Sequence, residues 1–416
     1  MQRLLLEFRL LSLLRRVLQR LLLGLGIAII PFFSIGGFDS RDPKMMLSMV
    51  ISLCLILTAV YYGRIGKCLN KWLLALLVYI PLCHFLAYSE TNRMVLAVGK
   101  KTVSIPILIG WIPVQNFWIW KPMLIIFVFF LLYLSIKNLD LVQHLNIMVC
   151  VGGLLAVYGI VQYFNIDQFF MLSAAQHADN PRVAATLGQP TLLATFLAML
   201  LPLSVYYRKW VCFALMAVVI VITKSQMALG ASVVSLLLYL AFSGRKQLVL
   251  AVLLACVIGT LAFQYKPRVG DGDRFRNWKM IVADIKGTED IQNTRLNRVL
   301  KQDMVYKNKY SLTGRGLGSF KYLFHRKHSL GKGKEYFEAH NEPLELTYCI
   351  GIIGLLLYLL AWFTEFRLNF AFSERKLAIM SALIAVNLCS LGLFVFHLGA
   401  HCFYTVVLLG ALNEDT

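Results

Sequence analysis

Charge is scarce in this chain, and acidic charge is scarcer still. Only 15% of the 416 residues are charged, and 21 Asp plus Glu face 41 Lys plus Arg. A soluble domain is about one quarter charged, so a water-exposed surface over the whole chain is excluded. The nine cysteines form no C-x-x-C pair, and nearly all fall within or beside apolar runs. They read as small apolar side chains, which excludes a disulfide framework and a zinc site. No glycine-rich stretch ends in the Lys-Ser/Thr of a phosphate loop. Gly314, Gly316 and Gly318 are too closely spaced for a dinucleotide fingerprint, and no strand precedes them. There is no internal repeat, low-complexity tract or coiled coil.

What is abundant is apolar sequence. The chain is 59% hydrophobic, with a mean hydropathy of +0.69. Many apolar runs reach roughly 18 to 20 residues, the length that crosses a bilayer core. The expected fold class is therefore all-α: a polytopic membrane protein with about twelve transmembrane helices and one long, partly helical outer loop. The expected spans are roughly 21–38, 45–63, 72–88, 117–136, 145–164, 190–207, 210–223, 228–243, 247–265, 344–362, 376–395 and 398–412. Residues 1–20 interleave Arg3, Arg9, Arg15, Arg16 and Arg20 with leucines. That pattern reads as a basic amphipathic helix on a membrane surface, with no convincing cleavage site after it.

The net charge of +20 is then read loop by loop rather than as a nucleic-acid signal. Counting from the N-terminus, one side receives the five N-terminal arginines, Arg64, Lys67, Lys71, Lys137, Arg208, Lys209, Arg245, Lys246, Arg367, Arg375 and Lys376. The positive-inside rule makes that side, and both termini, cytoplasmic. The chain thus divides into the N-terminal segment 1–20, nine helices over 21–265, an outer loop over 266–343 and three helices over 344–416. In the loop, Asp273 caps an expected helix through DRFRNWKMIVADIK, and a second fits TRLNRVLKQDMVYKN. On the second, Arg295, Arg298 and Gln302 share a face.

Basic residues outnumber acidic ones by about two to one between Lys266 and Glu338. Such a surface suits an anionic ligand at headgroup level, since arginine makes forked contacts to phosphate. The alternative is a solvated loop that pairs its own acids. The glycine turn 314–318 reads either as a backbone nest for phosphate or, the preferred reading, as a tight turn into a helix at Ser319. Asp39 and Asp42 in GGFDSRDPK are paired acids of the kind that hold a divalent metal, but two carboxylates alone make a poor site, and Arg41 and Lys44 crowd them.

His340 stands where the polar loop meets the apolar run HNEPLELTYCIGIIGLLL. One reading makes it the residue before a helix cap, with Asn341 as N-cap and Glu342, Pro343 and Glu345 in the first turn. The other makes it a general base. A helix N-terminus and nearby arginines both disfavour imidazolium, leaving a neutral ring. His325 and His328 are less well placed. His397 and His401 lie near the outer face as fallback candidates.

HNEPLELTYCIGIIGLLLYL resembles the membrane-approach motif of the O-antigen ligase and polymerase superfamily. LTGRGLGSF, RVAATLGQPTLLATFLAMLLPL and VITKSQMALGASV resemble further segments of that family, in the same order. The resemblance covers roughly residues 182–360. It implies an outer-leaflet glycosyltransferase whose donor is a glycan on undecaprenyl diphosphate. The acceptor is a lipid-A core sugar, a growing glycan or a protein hydroxyl. The family histidine matches His340. Its loop arginine matches Arg295, with Arg274 competing, and a further arginine matches Arg182. Two departures stand out. Ser225-Gln226 replaces the family's Ser-Arg, with Lys224 a candidate substitute, and Cys349 stands where an acid is common.

A sugar diphosphate carries its own leaving group, so one base and several cations suffice. This implies an inverting transfer that uses no metal or cofactor. His340 is its base; Arg182, Lys224, Arg274, Arg295, Arg315 and Asn341 bind the substrate. The competing expectations are a transporter or flippase of anionic lipid-linked glycans, and a structural assembly factor. Few intramembrane charges speak against a translocation path.

Overall fold

A computed structural model describes residues 17–33, 41–61, 70–96, 114–137, 139–164, 166, 183–244, 312–314, 316–317, 320, 341–369, 373–393 and 395–414. Within the helices, the side chains of residues 41–42, 84–96 and 114–121 are not described. Among the described residues the chain is all-helical. The helices are α1 (Val17–Ile29), α2 (Arg41–Tyr61), α3 (Lys71–Leu96), α4 (Val114–Ile136), α5 (Val142–Tyr163), α6 (Pro190–Tyr206), α7 (Trp210–Ile222), α8 (Gln226–Phe242), α9 (Glu342–Leu368), α10 (Glu374–Ser390) and α11 (Gly399–Leu412). Short 3-10 turns at Ala185–Leu187 and Val395–His397 precede α6 and α11.

Expected and observed helices agree along most of this path, but their lengths differ from about twelve full spans. Among the described residues, three helical segments are long and apolar enough to cross a membrane: Pro43–Tyr61, Val142–Tyr163 and Glu342–Leu368. Helix α7, with 13 residues, rises only about 20 Å against a hydrocarbon core of about 30 Å. Helix α1 begins inside the expected amphipathic segment and ends at Ile29, two residues before Pro31, so the expected span 21–38 is shortened. Asp42, expected in a loop, falls in the first turn of α2. The expected span 247–265 and the two expected loop helices lie outside the described residues.

Helix α6 is the axis of the bundle. Every residue from Leu192 to Val205 is buried, with α5, α7, α8 and α10 packed around it. Pro190 opens it, where a missing N–H costs nothing. Lipid supplies no hydrophobic drive between apolar helices, so close packing has to hold them. Two glycines on α5 allow it. A methyl group at Gly152 would lie 2.6 Å from Leu200 Cδ1, and one at Gly153 would lie 2.8 Å from Cys212 Sγ. On the far side of α6, Phe196 stacks against Tyr404 at 4.6 Å. The Tyr404 hydroxyl donates to the Ile27 carbonyl at 2.8 Å.

Polar contacts gather at the two ends of the bundle. At one end Arg20 pairs with Asp140 at 3.2 Å and Arg375 with Glu414 at 3.3 Å. Asn70 caps α3 through Trp72 N and Leu73 N, both at 3.1 Å. Its amide also donates to Glu365 on α9 at 3.1 Å. These are loops that the charge count assigns to one side. At the other end meet the C-terminus of α1 and the N-termini of α2, α6, α9 and α11. Lys44 Nζ donates to the Phe33 carbonyl at 2.7 Å and to the Thr186 carbonyl. Gly399 lies tight against Lys44 and Met45, where a methyl group would come 2.6 Å from Met45 Cα.

Candidate functional site

The site is built on the first turn of α9. Asn341 is extended (φ −155°, ψ 104°), and its side chain accepts from Leu344 N at 3.1 Å. This is the N-cap expected from sequence. The same side chain does a second job: Nδ2 donates to the Leu391 carbonyl at 2.8 Å. Asn341 therefore ties the start of α9 to the turn that follows α10. That turn also meets α8, since a methyl group at Gly392 would lie 2.9 Å from Met227 Cγ.

Lys224 and its neighbours reach the same end through this contact. Lys224 sits in the α7–α8 turn with φ 56°, a left-handed backbone that is uncommon for a lysine. Its N–H closes the turn onto the Val221 carbonyl at 3.0 Å. Ser225 is buried, while Gln226 is exposed at the start of α8. Of the basic residues singled out from sequence, the structure brings Lys224 to the end that carries Asn341. His340, Arg182, Arg274, Arg295 and Arg315 lie outside the described residues, as do His325, His328 and Asp39.

The glycine turn docks deeper, against a break in α9. Gly351 adopts φ 71°, ψ −179° inside the helix, a region open essentially to glycine alone. The break frees backbone groups of α9, and residues 312–316 satisfy them. Gly316 N donates to the Cys349 carbonyl at 2.7 Å, and Ile353 N donates to the Leu312 carbonyl at 3.3 Å. Helix α3 closes the joint, with Cys83 Sγ donating to the Thr313 carbonyl at 2.7 Å and Tyr79 OH donating to the same carbonyl at 3.3 Å. Phe320 packs edge-on against Tyr348 at 5.5 Å. The Gly316 N–H is thus engaged by protein, which favours the turn reading over a phosphate nest. Cys349, one of the two departures from the family pattern, is buried in this joint.

Sequence reasoning missed one constellation. Glu342 and Glu345, three apart on the first turn of α9, are 4% and 8% exposed. They face His397, whose Nε2 lies 3.6 Å from Glu342 Oε2 and 3.5 Å from Glu345 Oε1. The donor atoms of the three side chains lie within 4.8 Å of one another. The acids offset the positive end of the helix dipole on which the expected neutrality of His340 rested. The available signal was E-x-x-E directly after the cap, read as ordinary first-turn acids.

His401 separates from His397 despite the helical i, i+4 spacing. His397 ends the 3-10 turn, whereas His401 is inside α11. The His401 ring is 1% exposed. Its Nε2 lies 3.1 Å from the Leu192 carbonyl, and it packs edge-on to Phe196 at 5.4 Å. A carbonyl partner requires Nε2 to donate, so the remaining nitrogen faces the protein interior. His401 is a packing residue, and His397 keeps an exposed edge, with 40% of its side-chain surface accessible.

Residues 211–359 fit the family model described as O-antigen ligase. The matched stretch holds α7, α8, the glycine turn, the Asn341 cap and most of α9. No curated protein matches the chain.

Proposed function

Proceeding from an O-antigen ligase segment at residues 211–359, we propose that this membrane protein transfers a glycan from an undecaprenyl-diphosphate carrier to an acceptor hydroxyl. The acceptor is a lipid-A core sugar or the end of a growing glycan. His340 accepts the hydroxyl proton as the oxygen attacks the anomeric carbon. Arg182, Lys224, Arg274, Arg295 and Arg315 stabilise the departing diphosphate, and Asn341 fixes the approach. A single displacement inverts the anomeric carbon and needs no metal or cofactor. The protein acts in the bacterial inner membrane, with its site on the periplasmic side and both termini in the cytoplasm.

The observation that carries this reading is the anchored cap of α9. Asn341 is bonded both to its own helix and to the α10 turn, within the matched segment and at the end that holds Lys224. The residue attached to that anchor is His340. A base needs a fixed origin more than it needs a fixed loop.

The test is reconstituted transfer from a polyprenyl-diphosphate glycan with EDTA present, comparing wild type with His340→Ala. Both proteins are first checked for membrane insertion and monodispersity. Wild-type transfer that survives EDTA and falls about 10²–10⁴-fold in the variant supports a metal-free histidine base. Equal transfer by both removes His340 from the chemistry.

A further inference from the structure

We propose that Tyr79 and Cys83 of α3 are positioning residues for the transfer site. They hold the glycine turn in the break of α9 and so set the direction of residues 342–350, the half-helix that carries the Asn341 anchor. The inference rests on the glycan-transfer reading and assigns a role to a helix outside the matched segment 211–359.

The break divides α9 into two parts with separate supports. Gly351 (φ 71°, ψ −179°) interrupts the helix. The Ile353 N–H and the Cys349 carbonyl, which an unbroken helix would join as an i to i−4 pair, are therefore parted. Each is met by the turn instead: Ile353 N donates to the Leu312 carbonyl at 3.3 Å, and Gly316 N donates to the Cys349 carbonyl at 2.7 Å. Lipid offers no hydrogen bond to a parted backbone pair, so a break at membrane depth persists only where protein covers it. Packing follows the same division. Tyr348, Cys349 and Ile350 share an apolar cluster with Leu76, Ile80 and Cys83 of α3. Trp362 and Phe366, beyond the break, pack against the main core.

Helix α3 holds the turn through one oxygen. The Thr313 carbonyl accepts from Cys83 Sγ at 2.7 Å and from Tyr79 OH at 3.3 Å. Cys83 Sγ also lies 3.5 Å from the Cys349 carbonyl, so one thiol touches both sides of the joint. Gly314 and Gly351 meet backbone to backbone, since a methyl group on Gly351 would lie 2.6 Å from Gly314 N. No side-chain rotation can take up movement there.

The consequence appears at the other end of the half-helix. At about 1.5 Å of rise per residue, Asn341 stands about 15 Å from the break, so a rotation of about 4° there moves the anchor by about 1 Å. A displacement of that size costs about 10²-fold in a reaction that depends on alignment. Backbone held in a sparsely populated conformation by its surroundings is a mark of such sites.

The experiment has two arms on the full-length protein in proteoliposomes. The first measures transfer by wild type, Tyr79→Phe, Cys83→Ser and Cys83→Ala at a temperature below every melting midpoint. Tyr79→Phe removes one oxygen and keeps the ring; it is expected to lower kcat about 10-fold, with KM for the lipid-linked donor unchanged. Cys83→Ser keeps a donor and should retain more transfer than Cys83→Ala. The second arm does not depend on transfer. Cys83 is 1% exposed and Cys389 is fully buried. A membrane-permeant maleimide reaches Cys83 when the turn withdraws, and peptide mass spectrometry reads that rate against Cys389. Loss of the tyrosine hydrogen bond is expected to speed Cys83 labelling about fivefold, with Cys389 unchanged. Gly351→Ala, which favours an unbroken α9, should label Cys83 faster still and lose about 10²-fold in transfer. Wild-type labelling of Cys83 in Tyr79→Phe would overturn the proposal. So would faster labelling with wild-type kcat, or a rise in KM at unchanged kcat, which would place the joint in donor binding instead of alignment. Faster labelling as expected, with no wild-type transfer to any acceptor, would overturn the transfer reading itself, and the positioning role with it.

Discussion

The joint between the glycine turn and α9 gives the sharpest stability prediction, through Gly314→Ala. Gly314 has φ 78°, and a methyl group there would lie 2.5 Å from Gly351 N and 2.5 Å from the Ile350 carbonyl carbon. Those atoms are backbone, so no side-chain rotation relieves the overlap. Alanine at positive φ costs about 1–2 kcal/mol by itself. Withdrawing the turn loses the Gly316-to-Cys349 and Ile353-to-Leu312 hydrogen bonds, each of about 1 kcal/mol. The total is about 3–4 kcal/mol. Gly244→Ala is the control, because Gly244 has φ 75° with nothing within 4 Å of an added methyl; it should show only the conformational cost. The assay is thermal unfolding of detergent-purified protein, followed by the monodisperse fraction at a fixed scan rate. Gly314→Ala should melt well below Gly244→Ala. Equal midpoints would refute the contact between the turn and the helix break.

Other perturbations test other parts of the structure. Asn341→Ala loses the helix cap and the tie to Leu391; a cost of about 1–2 kcal/mol should appear in the same melt, with a drop in transfer in the reconstituted assay. Gly153→Leu should force α5 from α7, because Cys212 Sγ would lie 2.8 Å from even a methyl group; loss of monodisperse protein checks this. Glu414 has its proton affinity raised mainly by burial, with Arg375 opposing and Asp140 reinforcing the rise. A raised carboxyl favours the folded state at pH below its ordinary value and loses that advantage as pH climbs through the folded value. Melting midpoints of wild type should therefore fall over the pH range just above the ordinary glutamate value, and Glu414→Gln should flatten that fall.

Helix identity was legible because apolar runs punctuated by Arg, Lys and Pro leave little choice of boundary. Asn341 caps a helix in the structure as the sequence predicts, and α6 opens at Pro190, where the expected span 190–207 begins, whereas the Ser373 cap puts the start of α10 two residues before the expected 376. Span length was not legible, because hydropathy does not distinguish a helix facing lipid from one such as α6 that is enclosed by other helices. The break at Gly351 was hidden inside the run CIGIIGLLL, since its cause lies in residues 312–316. The glycine turn was visible, but its partner was not. The Asn341 cap was read correctly, whereas its bond to Leu391 needs the fold. His397 was visible only as one of two histidines four apart. Its two acids belong to a helix more than fifty residues away in sequence, and burial, which makes the trio notable, leaves no mark in local sequence.

The most direct test of the account is a mass balance in proteoliposomes containing a lipid-linked glycan and a purified acceptor. The account predicts that undecaprenyl diphosphate appears in equal amount to glycosylated acceptor, with the anomeric configuration of the transferred sugar inverted. Movement of intact lipid-linked glycan across the bilayer, with neither product formed, would contradict it and identify a transporter instead.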